Sequence, residues 1–326
     1  MATEDLTLLP IDIQDPETAG AFISFLEPFL PFSCGLIGLT QSYLTPQPDP
    51  CLKAWATFDF SNSRSTSEVP KLFTVAVFTP IQGRLFCSAD TSPEDVTAEE
   101  LIHRERVVRL YVVTATSLIQ TLPGHEEDSE YLLGVVHEKF FPLVKPYAGD
   151  APTPPYRLFI CPPPDTEVIN TTATGPDTSR WLVTGLEESD LELVRSTSHF
   201  QRTIEYLRTR IPTSACIRDP DSVDGRRPVA WLMKHLDGSM GALYVDPDYR
   251  GKGLGGLVVS ECIKRSRESS ENRGSASRWN FVEVLQENLP GTVFFNHLEG
   301  WEAGWRTWWV RLDVVKHGRV VRRAIN

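Results

Sequence analysis

The stretch Leu243-Tyr-Val-Asp-Pro-Asp-Tyr-Arg-Gly-Lys-Gly-Leu-Gly-Gly256 constrains this chain more than any other. A short apolar run of β-formers, Ala242 to Val245, stops at Pro247. A basic, glycine-dense loop follows, and an amphipathic helix begins near Leu254. Glycines have no Cβ, so their N–H groups can converge on an anion. A helix start adds unpaired N–H groups and the positive end of a dipole. Strand, loop and helix in this order predict a pyrophosphate cradle made by Arg250, Gly251, Lys252, Gly253, Leu254, Gly255 and Gly256.

Two common phosphate patterns fit poorly. Gly251, Gly253 and Gly256 satisfy G-x-G-x-x-G, but in a dinucleotide fold the glycines leave the strand directly. Here Asp246 to Arg250 intervene. No Gly-Lys-Ser/Thr follows four spacer residues, which excludes a Walker A loop. The stretch resembles instead the acyl-CoA loop of the GNAT superfamily of N-acyltransferases, Val-x-Pro-x-x-Arg-Gly-x-Gly-x-Gly/Ala. Val245, Pro247, Arg250, Gly251, Gly253 and Gly255 match it in spacing. Upstream, Pro228-Val-Ala-Trp231 and the turn signal Asp237-Gly238 resemble the glycine N-acyltransferase-like branch, over about residues 180–312.

The resemblance implies a GNAT-like acyl-CoA-binding fold in the C-terminal half and a degenerate GNAT-like N-terminal half. It implies acyl-CoA, acetyl or longer, as cosubstrate, no metal, and a small-molecule amine as acceptor. The backbone of Leu243, Tyr244 and Val245 would pair with the pantetheine arm and polarise the acyl carbonyl. Asn288 would contact the same arm. Two departures stand out. The family tyrosine that protonates the leaving thiolate is Phe295 here, and the branch's glutamate base is Ser239. Serine takes no amine proton unless another base activates it. His235 titrates in the right range to do so, but an exposed strand-end histidine is the plainer reading. Tyr244 and His297 are further stand-ins for the missing acid. If these groups are bystanders, the chain binds acyl-CoA without transferring it, or uses the cleft for O-acylation or another reaction.

Composition narrows the partners. A net charge of −11 argues against nucleic acid. Six cysteines, at 34, 51, 87, 161, 216 and 262, form no Cys-x-x-Cys pair or Cys/His cluster, so no zinc site is expected. The acidic start, Glu4, Asp5, Asp12, Asp15 and Glu17, fits neither a secretory nor a mitochondrial leader. Glu27, Pro28 and Pro31 break the apolar stretch from Ala21 to Leu39, so no membrane span is expected. A cytoplasmic protein is the expectation.

At 326 residues two domains are expected. Prolines are densest between Pro142 and Pro164, which puts the boundary near 150: an N-terminal, non-catalytic α/β domain over 1–150 and the acyl-CoA domain over 151–326. The fold class is α/β, with a mixed sheet. Helices are expected over 15–32, from Ser92, over Glu187 to Arg208, over Leu254 to Arg267 and around Val293 to Leu298. Strands are expected at Leu52–Phe60, Leu72–Phe78, Arg84–Cys87, Tyr156–Ile160, Ala215–Ile217, Arg226–Met233, Gly241–Val245, Trp279–Leu285 and Trp308–Val315. Four tryptophans, Trp301, Trp305, Trp308 and Trp309, read as packing of the closing strand, with an aromatic acceptor pocket as the alternative.

Overall fold

The computed structural model describes residues 6–44, 49–61, 69–121, 130–163, 180–200, 202–222, 226–270 and 279–318. The chain is mixed α/β and divides into two compact units. Unit 1 comprises Met1–Leu158, Val284–Thr292 and Gly304–Asn326. Unit 2 comprises Phe159–Glu283 and Val293–Ala303.

Unit 1 runs β1 (Leu9–Ile11), α1 (Pro16–Leu26), α2 (Cys34–Leu44), β2 (Lys53–Ala56), β3 (Thr74–Phe78), β4 (Gln82–Cys87), α3 (Ala98–Ile119), β5 (Glu130–His137) and α4 (Phe141–Val144). Asp15 caps α1 by accepting from Thr18 N–H, with Pro16 in the first turn. β1 to β4 form an antiparallel meander, and β4 then runs parallel to β5. α3 starts at Ala98, later than the Ser92 signal, because Thr97 and Glu100 form a reciprocal capping box there. Its face Val107, Val108, Tyr111, Val112 and Ala115 is buried against Phe78, Leu133 and Val136 of the sheet.

Unit 2 opens in β6 (Pro155–Cys161), whose first residues lie in unit 1. It continues through β7 (Leu182–Thr184), α5 (Leu191–Thr197), α6 (Ile204–Arg210), β8 (Ser214–Asp219), β9 (Arg227–Lys234), β10 (Met240–Val245), α7 (Leu254–Ser270), β11 (Asn280–Leu285) and α8 (Leu289–His297), with the end of β11 from Val284 and the start of α8 through Thr292 falling in unit 1. β7 to β10 are antiparallel neighbours, and β10 runs parallel to β11. The single helix expected over Glu187 to Arg208 is two. α5 ends at Thr197 and α6 restarts at Thr203, whose hydroxyl accepts from Tyr206 N–H. Hydroxyl side chains that bond the backbone locally favour such a break over helix continuation. The core over this face gathers Leu191, Val194, Leu207, Cys216, Trp231 and Met233, with Tyr206 and Tyr244 half-buried against it.

Both units repeat one order: strand, two helices, three antiparallel strands, helix, then a strand parallel to the one before that helix. The closing strand β12 (Glu302–Asp313) enters unit 1 from Gly304 onward and pairs antiparallel with β5.

Candidate active site

The glycine-basic loop joins β10 to α7 in unit 2. Pro247 to Tyr249 form one 3₁₀ turn, whose first residues are set by Asp246, accepting from Asp248 N–H. Asp246 is held in turn by Arg227 at 2.7 Å. The Tyr249 hydroxyl donates to Asp219 at 2.6 Å, which holds the Tyr249 phenol above and the Asp219 carboxyl below their ordinary ranges. Gly251 and Gly253 then take φ of +74° and +78°. In this left-handed region an L side chain costs energy, which is the physical need for glycine at these positions. Leu257 N–H reaches Gly253 O at 3.1 Å as α7 begins, so the N–H groups before it have no intrahelical acceptor.

The cations flank this cradle. Arg250 is exposed, and its Nε donates to Val245 O at 3.1 Å. Lys252 is exposed, donates to Asp248 O and lies 4.7 Å from the Tyr249 ring centroid. Gly255 has a different reason to be glycine: a Cβ there would stand 2.9 Å from the Phe294 ring of α8. Leu254 is buried and anchors the helix start. Two αL glycines, free helix N–H groups and two exposed cations are the donor set a pyrophosphate needs, and the residues present fit one.

β10 carries the second feature. Its register against β9 shifts between Gly241 and Tyr244, and Ala242 has φ +55°. This is a β-bulge, which bends and twists a strand. β10 registers with β11 at Met240 opposite Val282. Among the described pairings Tyr244 and Val245 join β9 and none joins them to β11. Leu243, Tyr244 and Val245, past the bulge, are all half-buried.

The polar candidates lie at the other end of this hairpin. Gly238 takes the turn with φ +82°. Asp237 accepts from Ser239 N–H at 3.1 Å and from its hydroxyl at 2.6 Å, and both residues are buried. Ser239 is thus bonded inside the turn. His235 is not the exposed strand-end residue expected. Its Nδ1 lies 2.8 Å from the Tyr206 hydroxyl on α6, and its ring lies where a Cβ on Gly241 would be. Burial pushes its pKa down to about 4, with Asp237 opposing and Arg202 and Arg210 assisting. Tyr244 stacks on Trp231, ring centroids 4.5 Å apart and 18° between planes. Sequence reasoning missed Tyr206, which counted only as one residue of a helical period. The signal was Thr203 three residues before it, a helix N-cap that fixes where Tyr206 stands.

Asn288 caps α8, its Oδ1 accepting from Gly291 N–H at 3.0 Å. Phe295 is 2% exposed and packs between Phe159 and Trp301. His297 bonds its own helix at Val293 O. The tryptophans disperse: Trp301 lies on Phe295, Trp305 stacks on Phe32, Trp308 on Phe141, and Trp309 lies under Arg84. Among the described residues no three His, Cys, Asp or Glu side chains gather as a metal site, and no helix is long and apolar enough to cross a membrane.

Residues 222–310 match the FR47-like protein family. No curated protein sequence matches the chain. A solved Drosophila protein is similar over 94% of this chain and 98% of its own, at 14% identity and a TM-score of 0.55. A GCN5-related N-acetyltransferase from Sphaerobacter thermophilus is similar over 92% and 93%, at 11% identity and 0.45. An acetyltransferase of the GNAT family from Colwellia psychrerythraea is similar over 86% and 97%, at 10% identity and 0.40. At such identities the likeness is one of fold alone.

Proposed function

We propose that this chain is an acyl-CoA-dependent N-acyltransferase of the glycine N-acyltransferase-like kind, which moves an acyl group to a small-molecule amine by direct attack. One observation carries the reading: two left-handed glycines and two exposed cations at the start of α7, beside a strand that bulges. A bound acyl-CoA supplies the activated acyl group. Arg250, Lys252 and the N–H groups of 251–256 would hold its pyrophosphate, and the backbone of Leu243 to Val245 would face the acyl end.

The acceptor amine, freed of its proton, attacks the thioester carbon. The C–N bond forms, the C–S bond breaks, the thiolate leaves, and the amine's proton passes to solvent. Neither Ser239 nor Phe295 serves this step: the serine hydroxyl is bonded to Asp237, and the phenylalanine is enclosed in the core. Catalysis then rests on positioning and on polarising the carbonyl rather than on a protein base. Turnover should therefore rise with pH as the acceptor amine deprotonates.

The experiment pairs CoA binding by calorimetry with thiol release from acetyl-CoA and longer acyl-CoAs over a panel of amines. Binding with release supports the transferase. Phe295 favours a second reading, a GNAT-fold protein that binds acyl-CoA without transfer, since a core phenylalanine stands where the family acid would be. Binding without release from any amine or alcohol would establish it. No CoA binding would end both readings.

A further inference from the structure

His235 and Tyr206 form a polar pair that the loop and the bulge leave unexplained. Tyr206 stands in the first turn of α6, fixed by the Thr203 cap, and its hydroxyl meets Nδ1 of His235 at 2.8 Å. The imidazole rests on Gly241, one residue before the left-handed Ala242 of the bulge. A Cβ at 241 would overlap Nε2, so the glycine is what lets the ring lie against β10. Residues 231, 233 and 235 of the β9 hairpin alternate onto one face, the face that α5 and α6 cover, and Tyr244 stacks there on Trp231. The histidine thus stands on the α6 side of β10, beside its bulge.

The hydrogen-bond network assigns the tautomer. Burial raises the Tyr206 pKa above its ordinary value, so the phenol keeps its proton. The phenol proton then has one acceptor among the described residues, Nδ1 of His235. An imidazole that accepts at Nδ1 carries its own proton on Nε2. No described residue accepts a bond from Nε2. The titratable and charged groups acting on the ring are Asp237 of its own hairpin, Tyr206 and Arg210 of α6, and Arg202 just before the Thr203 cap. Burial and the two arginines keep it neutral, against Asp237.

We propose that His235 is a neutral hydrogen-bond donor to the reacting carbonyl oxygen, with Tyr206 as the residue that fixes its tautomer. This deepens the transferase reading and rests on it. Charge develops on the carbonyl oxygen as the amine nitrogen bonds to carbon. The Nε2–H would share that charge with the main-chain N–H groups at the bulge, and His235 would keep its proton throughout. A neutral donor suits the task because it needs no ionisation near pH 7, and it leaves the pH dependence to the amine.

The test joins a spectroscopic readout to kinetics. Nitrogen NMR of histidine-labelled protein should find His235 protonated on Nε2 and neutral down to about pH 5. Tyr206→Phe should abolish the tautomer preference and raise the titration point. With acetyl-CoA and glycine, ethanolamine and benzylamine as acceptor probes, His235→Phe should lose about 10²- to 10³-fold in rate, the usual cost of one oxyanion donor. His235→Gln, which keeps an N–H donor, should lose less. The pH profile should keep its shape in both, and calorimetric CoA affinity should stay unchanged, which also reports a folded chain. A resonance showing the proton on Nδ1, titration near 6.5, or His235→Phe as active as the wild type would overturn the donor role alone. Wild-type protein that binds no CoA, or binds it and acylates none of the probes, would remove the transferase reading and this role with it.

Discussion

Gly253 and Arg250 bear on the same ligand through different physics. Gly253 has φ +78°, so Gly253→Val would force a β-branched residue into the left-handed region and close the space above the loop backbone. Arg250→Ala removes an exposed guanidinium, and charge-assisted bonds are worth about 1.5–3 kcal/mol each, or roughly 10- to 100-fold in CoA affinity. Calorimetry on both folded variants checks this, and unchanged affinity in the pair would discard the cradle. Phe295 makes the opposite kind of prediction. Phe295→Tyr puts a polar group between Phe159 and Trp301. It should cost about 1–3 kcal/mol of stability with no gain in turnover. A thermal melt at wild-type Tm together with faster acyl transfer would show that the position is catalytic after all.

Elements were legible where one local rule dominated. The β10–loop–α7 unit was readable because apolar run, Pro247, spaced glycines and amphipathic period all agree. Leu254, Val258 and Cys262 form a buried face of α7. Elements failed to show where the deciding interaction is tertiary or is a cap. The helix expected over Glu187–Arg208 stops at Thr197 and restarts at the Thr203 cap. Likewise the candidate site was readable in its loop but not in its polar pair. Tyr206 and His235 are 29 positions apart, and nothing in either neighbourhood announces the bond. The α8 cap tests the element scale directly. Asn288→Ala loses the bond to Gly291 N–H and should destabilise the helix by about 1 kcal/mol. A small, uniform fall in denaturant midpoint would fit, and a large specific fall in CoA affinity at unchanged stability would instead make Asn288 a ligand contact.

At the scale of the molecule, two repeated units differ in one connection. Unit 2 joins its parallel strands' first member to its helix through the glycine cradle. Unit 1 uses Ser88 to Thr97, which holds no glycine, and Asp90 there is buried in an ion pair with Arg104 at 2.7 Å. One CoA per chain is therefore expected, and calorimetric stoichiometry of two would contradict it. The units share a response to acid. His103, whose Nε2 bonds Thr74, and His235 both have pKa values pushed down to about 4, in each case first by burial. Between about pH 4 and 6.5 the unfolded chain binds more protons than the folded one, so stability is full above that window and declines through it as pH falls. A urea midpoint at pH 4.5 equal to that at pH 7 would contradict this assignment.

The position of β12 has a consequence for synthesis. Its residues from Gly304 belong to unit 1, where they hydrogen-bond with β5, yet nearly all of unit 2 is encoded between the two strands. At ribosomal speeds of about 5–20 residues per second, β5 waits on the order of ten seconds for this partner. During that interval Leu133 and Val136 belong to an unpaired sheet edge, the kind of surface that recruits other chains. The nascent protein should therefore be most vulnerable to aggregation, and most dependent on chaperones, while its second unit is being made.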